Sequence, residues 1–153
     1  MKSRESHFGL VDFYIHGRSP GKARRAEWSN LTPSTIIQRI RGGLSFRDLG
    51  ALQTSLDVPM ERLASRLGIS RATLHRRKAR GFLGWEESDR VIRFARLMGK
   101  AVEVLESEQN ARRWLSSPQF GLGGAIPLDY AQTEAGAREV EDLLGRIEYG
   151  VYS

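Results

Sequence analysis

Between residues 70 and 80 the chain carries Arg71, His75, Arg76, Arg77, Lys78 and Arg80 and no carboxylate. Like charges set this densely on one short segment repel each other, and a polyanion relieves that repulsion. The chemistry on offer is recognition of phosphates and base edges. Arg71 and Arg76 have the planar donor fork that matches guanine O6 and N7, and Ser70 or Thr73 can reach a phosphate or a thymine methyl. Arg77, Lys78 and Arg80 suit phosphate contacts, which position a protein without reading sequence. His75 stands among them as either a DNA contact or a solvated helix residue.

A helix-turn-helix over residues 60–81, MERLASRLGISRATLHRRKARG, would present these side chains. Ala64 lets two helices cross closely, Gly68 takes the turn, and Leu74 anchors the second helix to a core. Ser70 is placed to cap that helix and Gly81 to end it, while Pro59 suits the first turn of the helix before. One such motif binds weakly alone, so a homodimer on a palindromic operator is expected.

The surrounding sequence keeps a helical period. STIIQRIRGG begins with a Ser or Thr cap, sets Ile36, Ile37 and Ile40 on one face and stops at Gly42 and Gly43. Ser45 precedes a stripe of Phe46, Leu49, Leu52 and Leu56. A long helix is expected from residue 85 to about 108, with Glu87 at the third position of a capping box and Val91, Ile92, Ala95, Met98, Val102 and Leu105 facing inward. A short helix ended by Pro118, a Gly/Pro turn and a further turn of helix follow, with Trp114 packing inward. Thr133 can cap a last helix whose apolar face is Val140, Leu143, Leu144 and Ile147. Before all this, FGLVDFYIHG (8–17) has the aromatic and β-branched content of a short strand. Residues 18–33 are basic and turn-rich, and serve either as an arm on DNA phosphates or as a cover for the domain. The expected fold is all-α: a loosely structured N-terminal extension over 1–34, a helix-turn-helix domain over 35–84 and a second helical domain over 85–153.

Charge divides along the same line. Residues 1–81 hold 16 Lys and Arg against 6 Asp and Glu, whereas residues 82–153 hold 8 against 12. A basic half and a mildly acidic half point to two tasks, one of them directed at nucleic acid. The chain has no cysteine, which removes disulfides and thiolate zinc sites, and His7, His16 and His75 form no ligand pair. No apolar run approaches the roughly 20 residues that cross a bilayer, so a cytoplasmic protein with no membrane partner is expected. Gly121, Gly123 and Gly124 lack the strand and lysine of a phosphate loop and suit a tight turn. Glu86, Glu87 and Asp89 have no nucleophile beside them and suit the positive end of a helix. No catalytic constellation, cofactor site or metal site stands out, and an enzyme is not expected.

Three further blocks carry a resemblance. EESDRVIRFARL (86–97), ARRWLSSPQFGLGG with IPL (111–128) and TEAGAREVEDLLGRIEYGVYS (133–153) resemble the Xre/MbcA/ParS-type antitoxins of RES–Xre type II toxin–antitoxin modules. With the helix-turn-helix and its Arg76 and Arg77 pair, the blocks stand in that family's order over about residues 35–153. The resemblance implies that the helix-turn-helix domain over 35–84 is an Xre-like DNA reader that represses its own operon, followed by a domain that holds a RES-domain toxin inactive. Such toxins consume NAD, so the nucleotide would be the toxin's substrate and no cofactor of this chain. The resemblance further implies that the end of the chain covers the toxin's active site. Here that end is Arg146, Glu148, Tyr149, Gly150, Val151, Tyr152 and Ser153, with Arg138 and Glu141 one to two turns earlier.

By residue type the two tyrosines are rigid amphipathic anchors, and Gly150 lets the chain leave its helix. A terminal carboxylate at Ser153 would mimic an anionic substrate group. By residue type alone these residues either project or fold back on the core, and the resemblance favours projection. The other reading of the whole chain is a plain helix-turn-helix regulator whose second domain dimerises or senses a ligand.

Overall fold

The computed structural model describes residues 9–17 and 31–150. These residues form nine α-helices and one 3₁₀ turn, and the only strand-like feature among them is an isolated bridge between Ser45 and Phe82. The fold is all-α.

The first helix, α1 (Leu10–His16), replaces the strand that its aromatic and β-branched residues suggest. Leu10, Val11, Tyr14 and Ile15 form a helical stripe, and tertiary burial overrides local β-propensity. Leu10 and Val11 are completely buried, and the buried Asp48 accepts the Val11 N–H at 3.3 Å, placing a carboxylate at the positive end of α1. The N-terminal region therefore contributes to the core. The remainder of the expected basic arm lies mostly outside the described residues.

In α2 (Pro33–Gly42) the cap is Thr32, two residues upstream of the segment the sequence suggests, and its hydroxyl accepts the Thr35 N–H at 3.1 Å. Ile36 and Ile40 pack on the core, whereas Ile37 is half exposed. Ser45 caps α3 (Phe46–Leu56), whose Leu49, Leu52 and Leu56 are buried. Next come α4 (Met60–Arg66) and α5 (Arg71–Arg80), with Pro59 at the cap position of α4.

The spine is α6 (Trp85–Leu105), on which α1, α2, α3, α7 and α9 all pack. Its apolar residues Val91, Phe94, Ala95, Leu97, Met98 and Ala101 are buried. At Gly99 the Tyr14 carbonyl of α1 occupies the space where a Cβ would stand, so only glycine permits this crossing. The helix stops earlier than its periodicity suggests. Glu106 turns left-handed at φ 68°, and Ser107 caps a new helix, α7 (Glu108–Leu115). A 3₁₀ turn (Phe120–Leu122), α8 (Pro127–Tyr130) and α9 (Glu134–Glu148) follow, with the Thr133 hydroxyl accepting the Gly136 N–H at 3.0 Å.

Candidate functional site

Two surfaces carry the residues singled out above. The first is built by the turn between α4 and α5. Gly68, at φ 71°, allows the Ile69 N–H to reach the Ala64 carbonyl at 2.8 Å and the Gly68 N–H to reach Ser65 at 3.1 Å. This closes α4 with the paired bonds of a Schellman motif, and buried Ile69 locks it to the core. Ser70 then caps α5 by accepting the Thr73 N–H at 3.2 Å. Arg76 donates to the Thr73 hydroxyl at 3.0 Å, so Ser70, Thr73 and Arg76 form one hydrogen-bonded row.

None of the residues of α5 is fully buried; Leu74 alone packs on the core, while Arg71, His75, Arg76, Lys78 and Arg80 are exposed. Arg77 is placed differently from its neighbours. Its Nε donates to both carboxylate oxygens of Glu87 at 2.9 Å, and its Nη2 lies 2.9 Å from Oε1. Glu87 also accepts the Gly84 N–H at 3.0 Å, the half of a capping box that a glycine cap permits. Burial alone would push the Glu87 carboxyl up. The bonds from Arg77 and Gly84, with the positive charges of Arg77 and Arg90, outweigh burial and hold it below the usual carboxylate range. Gly81 ends α5, and its carbonyl takes the Phe46 N–H at 2.8 Å, tying the basic helix to α3.

The second surface is the end of α9. Tyr149 follows the helix 82% exposed, and Gly150 is left-handed at φ 69°. Val151, Tyr152 and Ser153 lie outside the described residues. Arg138 is largely exposed, 3.9 Å from Glu134. Glu141 faces Arg96 at 3.8 Å, and Glu148 accepts from Lys100 at 2.9 Å. The Nε of Arg146 is buried without a hydrogen-bond partner. Arg93 completes the contact by donating to Glu134 at 3.1 Å and to the Gln132 carbonyl at 3.2 Å. These ion pairs align α9 on α6. The seven-residue spacing of Glu134, Glu141 and Glu148 is the sequence signal that would have revealed them.

Among the described residues no group of His, Asp or Glu is arranged to hold a metal ion, and no helix is long and apolar enough to cross a membrane.

Comparison with known proteins assigns the two surfaces to two domains. Residues 35–96 match the Antitoxin Xre-like helix-turn-helix domain, and residues 100–150 match the Antitoxin Xre/MbcA/ParS C-terminal toxin-binding domain. The "Antitoxin Xre" of Yersinia enterocolitica is 33% identical over 142 residues, spanning 88% of this chain and 96% of that protein. The chain belongs to the Xre/MbcA/ParS antitoxins. A second "Antitoxin Xre", from Photorhabdus laumondii, is 37% identical over 123 residues, covering 79% of this chain and 75% of its own length. The "Prs ADP-ribosylating antitoxin" of a Sphingobium species is 29% identical over 132 residues, covering 80% and 83%. The antitoxin thus carries its basic helix within the helix-turn-helix match and Tyr149 and Gly150 at the end of the toxin-binding match.

Proposed function

We propose that this antitoxin holds a RES-domain, NAD-consuming toxin inactive by laying residues 138–153 over its active site, and that α5 reads operator DNA to repress the operon encoding both. The observation that carries the first half is the end of α9. The toxin-binding match runs to residue 150, where α9 has stopped and the Tyr149 ring stands almost wholly in solvent. A large aromatic left exposed beside a left-handed glycine is suited to insertion into a cleft, because its burial on binding gains area at little cost in side-chain freedom. The Sphingobium relative's name refers to ADP-ribosylation, chemistry that draws on NAD, the compound a RES toxin consumes.

The ion pairs of Glu141 and Glu148 give these two residues an orienting role. They hold α9 in register, and Arg138, Arg146 and the residues from 149 onward meet the toxin. On the DNA side Arg71 and Arg76 read base edges, and Ser70, Thr73, His75, Lys78 and Arg80 contact the backbone. Arg77, engaged by Glu87, fixes the angle of the reading helix. A homodimer in the cytoplasm presents two copies of α5 to the two halves of a palindrome.

Co-expression with the toxin encoded beside it tests the reading. The full chain should restore growth, and deleting residues 150–153 should weaken the rescue while leaving operator binding intact. Full neutralisation by the shortened chain would overturn the plug.

A further inference from the structure

The most exposed large hydrophobic side chain among the described residues is Phe120, at 93%. It sits on a turn that is held from several sides. The Gly123 N–H returns to the Phe120 carbonyl at 3.0 Å, and Gly124 donates to Gln119 at 2.9 Å. The Gln119 backbone N–H reaches Ala125 at 3.0 Å, while its side-chain amide donates to the carbonyls of Trp114 and Ser117 at 2.9 and 3.2 Å. Next to Phe120, Gly121 lies so close to α9 that the Leu143 side chain fills the place a Cβ would take. The backbone of the turn is therefore fixed before any partner arrives, and only the rotamer of the phenyl ring remains to be ordered on binding.

Beside this knob is a slot. Leu105, Asn110, Arg113, Trp114, Ser117 and Gln119 line an open cleft of about 370 Å³, with Leu105 and the half-buried Trp114 as its apolar walls. Knob and slot are joined through Gln119, which lines the cleft and immediately precedes Phe120. Both fall inside the toxin-binding match of residues 100–150. The turn bears on α9 at Leu143, six residues before Tyr149, or about 9 Å along the helix axis.

We infer that Phe120 and the Leu105–Trp114 slot form a second anchor for the toxin, separate from the C-terminal residues that cover its active site. The toxin offers an apolar pocket for the phenyl ring and an apolar side chain for the slot. The occupant rests on the toxin-binding function proposed above. What singles out the toxin over a second copy of this chain is that knob and slot both lie within the toxin-binding match and that the turn bearing Phe120 packs on α9, the helix that ends at Tyr149. The anchor supplies affinity from a preformed surface, and the residues beyond α9 supply inhibition.

The test uses the full-length chain and the toxin encoded beside it. Replacement of an exposed side chain leaves the core intact, so Phe120→Ala should melt as the wild type does. It should bind toxin at least 10-fold more weakly, the loss expected of a truncated aromatic hot spot, with Phe120→Leu between the two. Benzoylphenylalanine at position 120 should cross-link to the toxin on illumination. Binding by Phe120→Ala within twofold of wild type, or a cross-link to a second copy of this chain, would overturn the anchor. If the unmodified chain itself fails to bind the toxin, the proposed function falls first and the anchor with it.

Discussion

Glu87 shows how one carboxylate can serve two ends of the molecule. It is buried at the start of α6, accepts the Gly84 N–H there, and reaches back to Arg77 on the basic helix. Glu87→Gln keeps the shape and loses the charge, and should cost about 1.5–3 kcal/mol, the range for a hydrogen bond to a charged group. The folded carboxyl titrates below its usual value of 4.5, so its contribution is fully present above that pH and is lost as pH falls through the folded value. Thermal melts should therefore separate wild type from Glu87→Gln at pH 7, and the gap should close in acid below pH 4.5. A gap that stays constant down to pH 3 would deny the pair its role. The capping position of Glu87 is readable from GWEE alone, whereas its partner Arg77 is ten residues away and looks like any other cation on its helix.

At the level of elements, α5 is nearly all surface. Its cap, its turn and the Arg77–Glu87 pair hold it, and Leu74 supplies its main apolar contact. Arg71→Ala with Arg76→Ala should abolish retardation of promoter DNA while leaving the melting temperature and toxin neutralisation unchanged. Lys78→Ala should instead weaken binding to all sequences alike and lower the salt slope by about one unit. Unchanged retardation by the double variant would show that α5 is not the reader. Legibility at this scale depended on caps. Ser45, Ser70 and Thr133 mark their helices in the sequence as they do in the structure. The end of α6 was hidden because glutamate seldom takes the left-handed conformation that Glu106 adopts. In the α1 segment composition and spacing disagree: its residue types favour a strand, while Leu10, Val11, Tyr14 and Ile15 recur at helical intervals. Ion pairs such as Arg93 with Glu134 join residues about forty positions apart, so the seven-residue spacing of the glutamates marks a charged face of α9 without naming its partners on α6.

For the molecule as a whole, α1 matters more than its place ahead of both domain matches suggests. Leu10, Val11 and Ile15 are buried against α3 and α6, and each side chain of this kind contributes about 1.5–3 kcal/mol when fully buried. That sum is comparable with the net stability of an ordinary domain, about 5–15 kcal/mol. A fragment of residues 35–153 should therefore lose its cooperative melting transition and bind a hydrophobic dye. A fragment that melts sharply near the wild-type temperature would show that α1 is dispensable. Full-length chain should unfold in one calorimetric transition, since α6 belongs to both halves and neither has a core without it.

The helix-turn-helix match ends at residue 96 and the toxin-binding match begins at residue 100, and all of that stretch lies within the unbroken α6. A continuous helix is a ruler with an angular scale. Inserting or deleting a single residue between 96 and 100 would swing one half about the other by about 100° and slide it by about 1.5 Å. The orientation of the toxin-binding match relative to the basic helix is thus set by a count of residues, and that count can change freely only in near-whole turns.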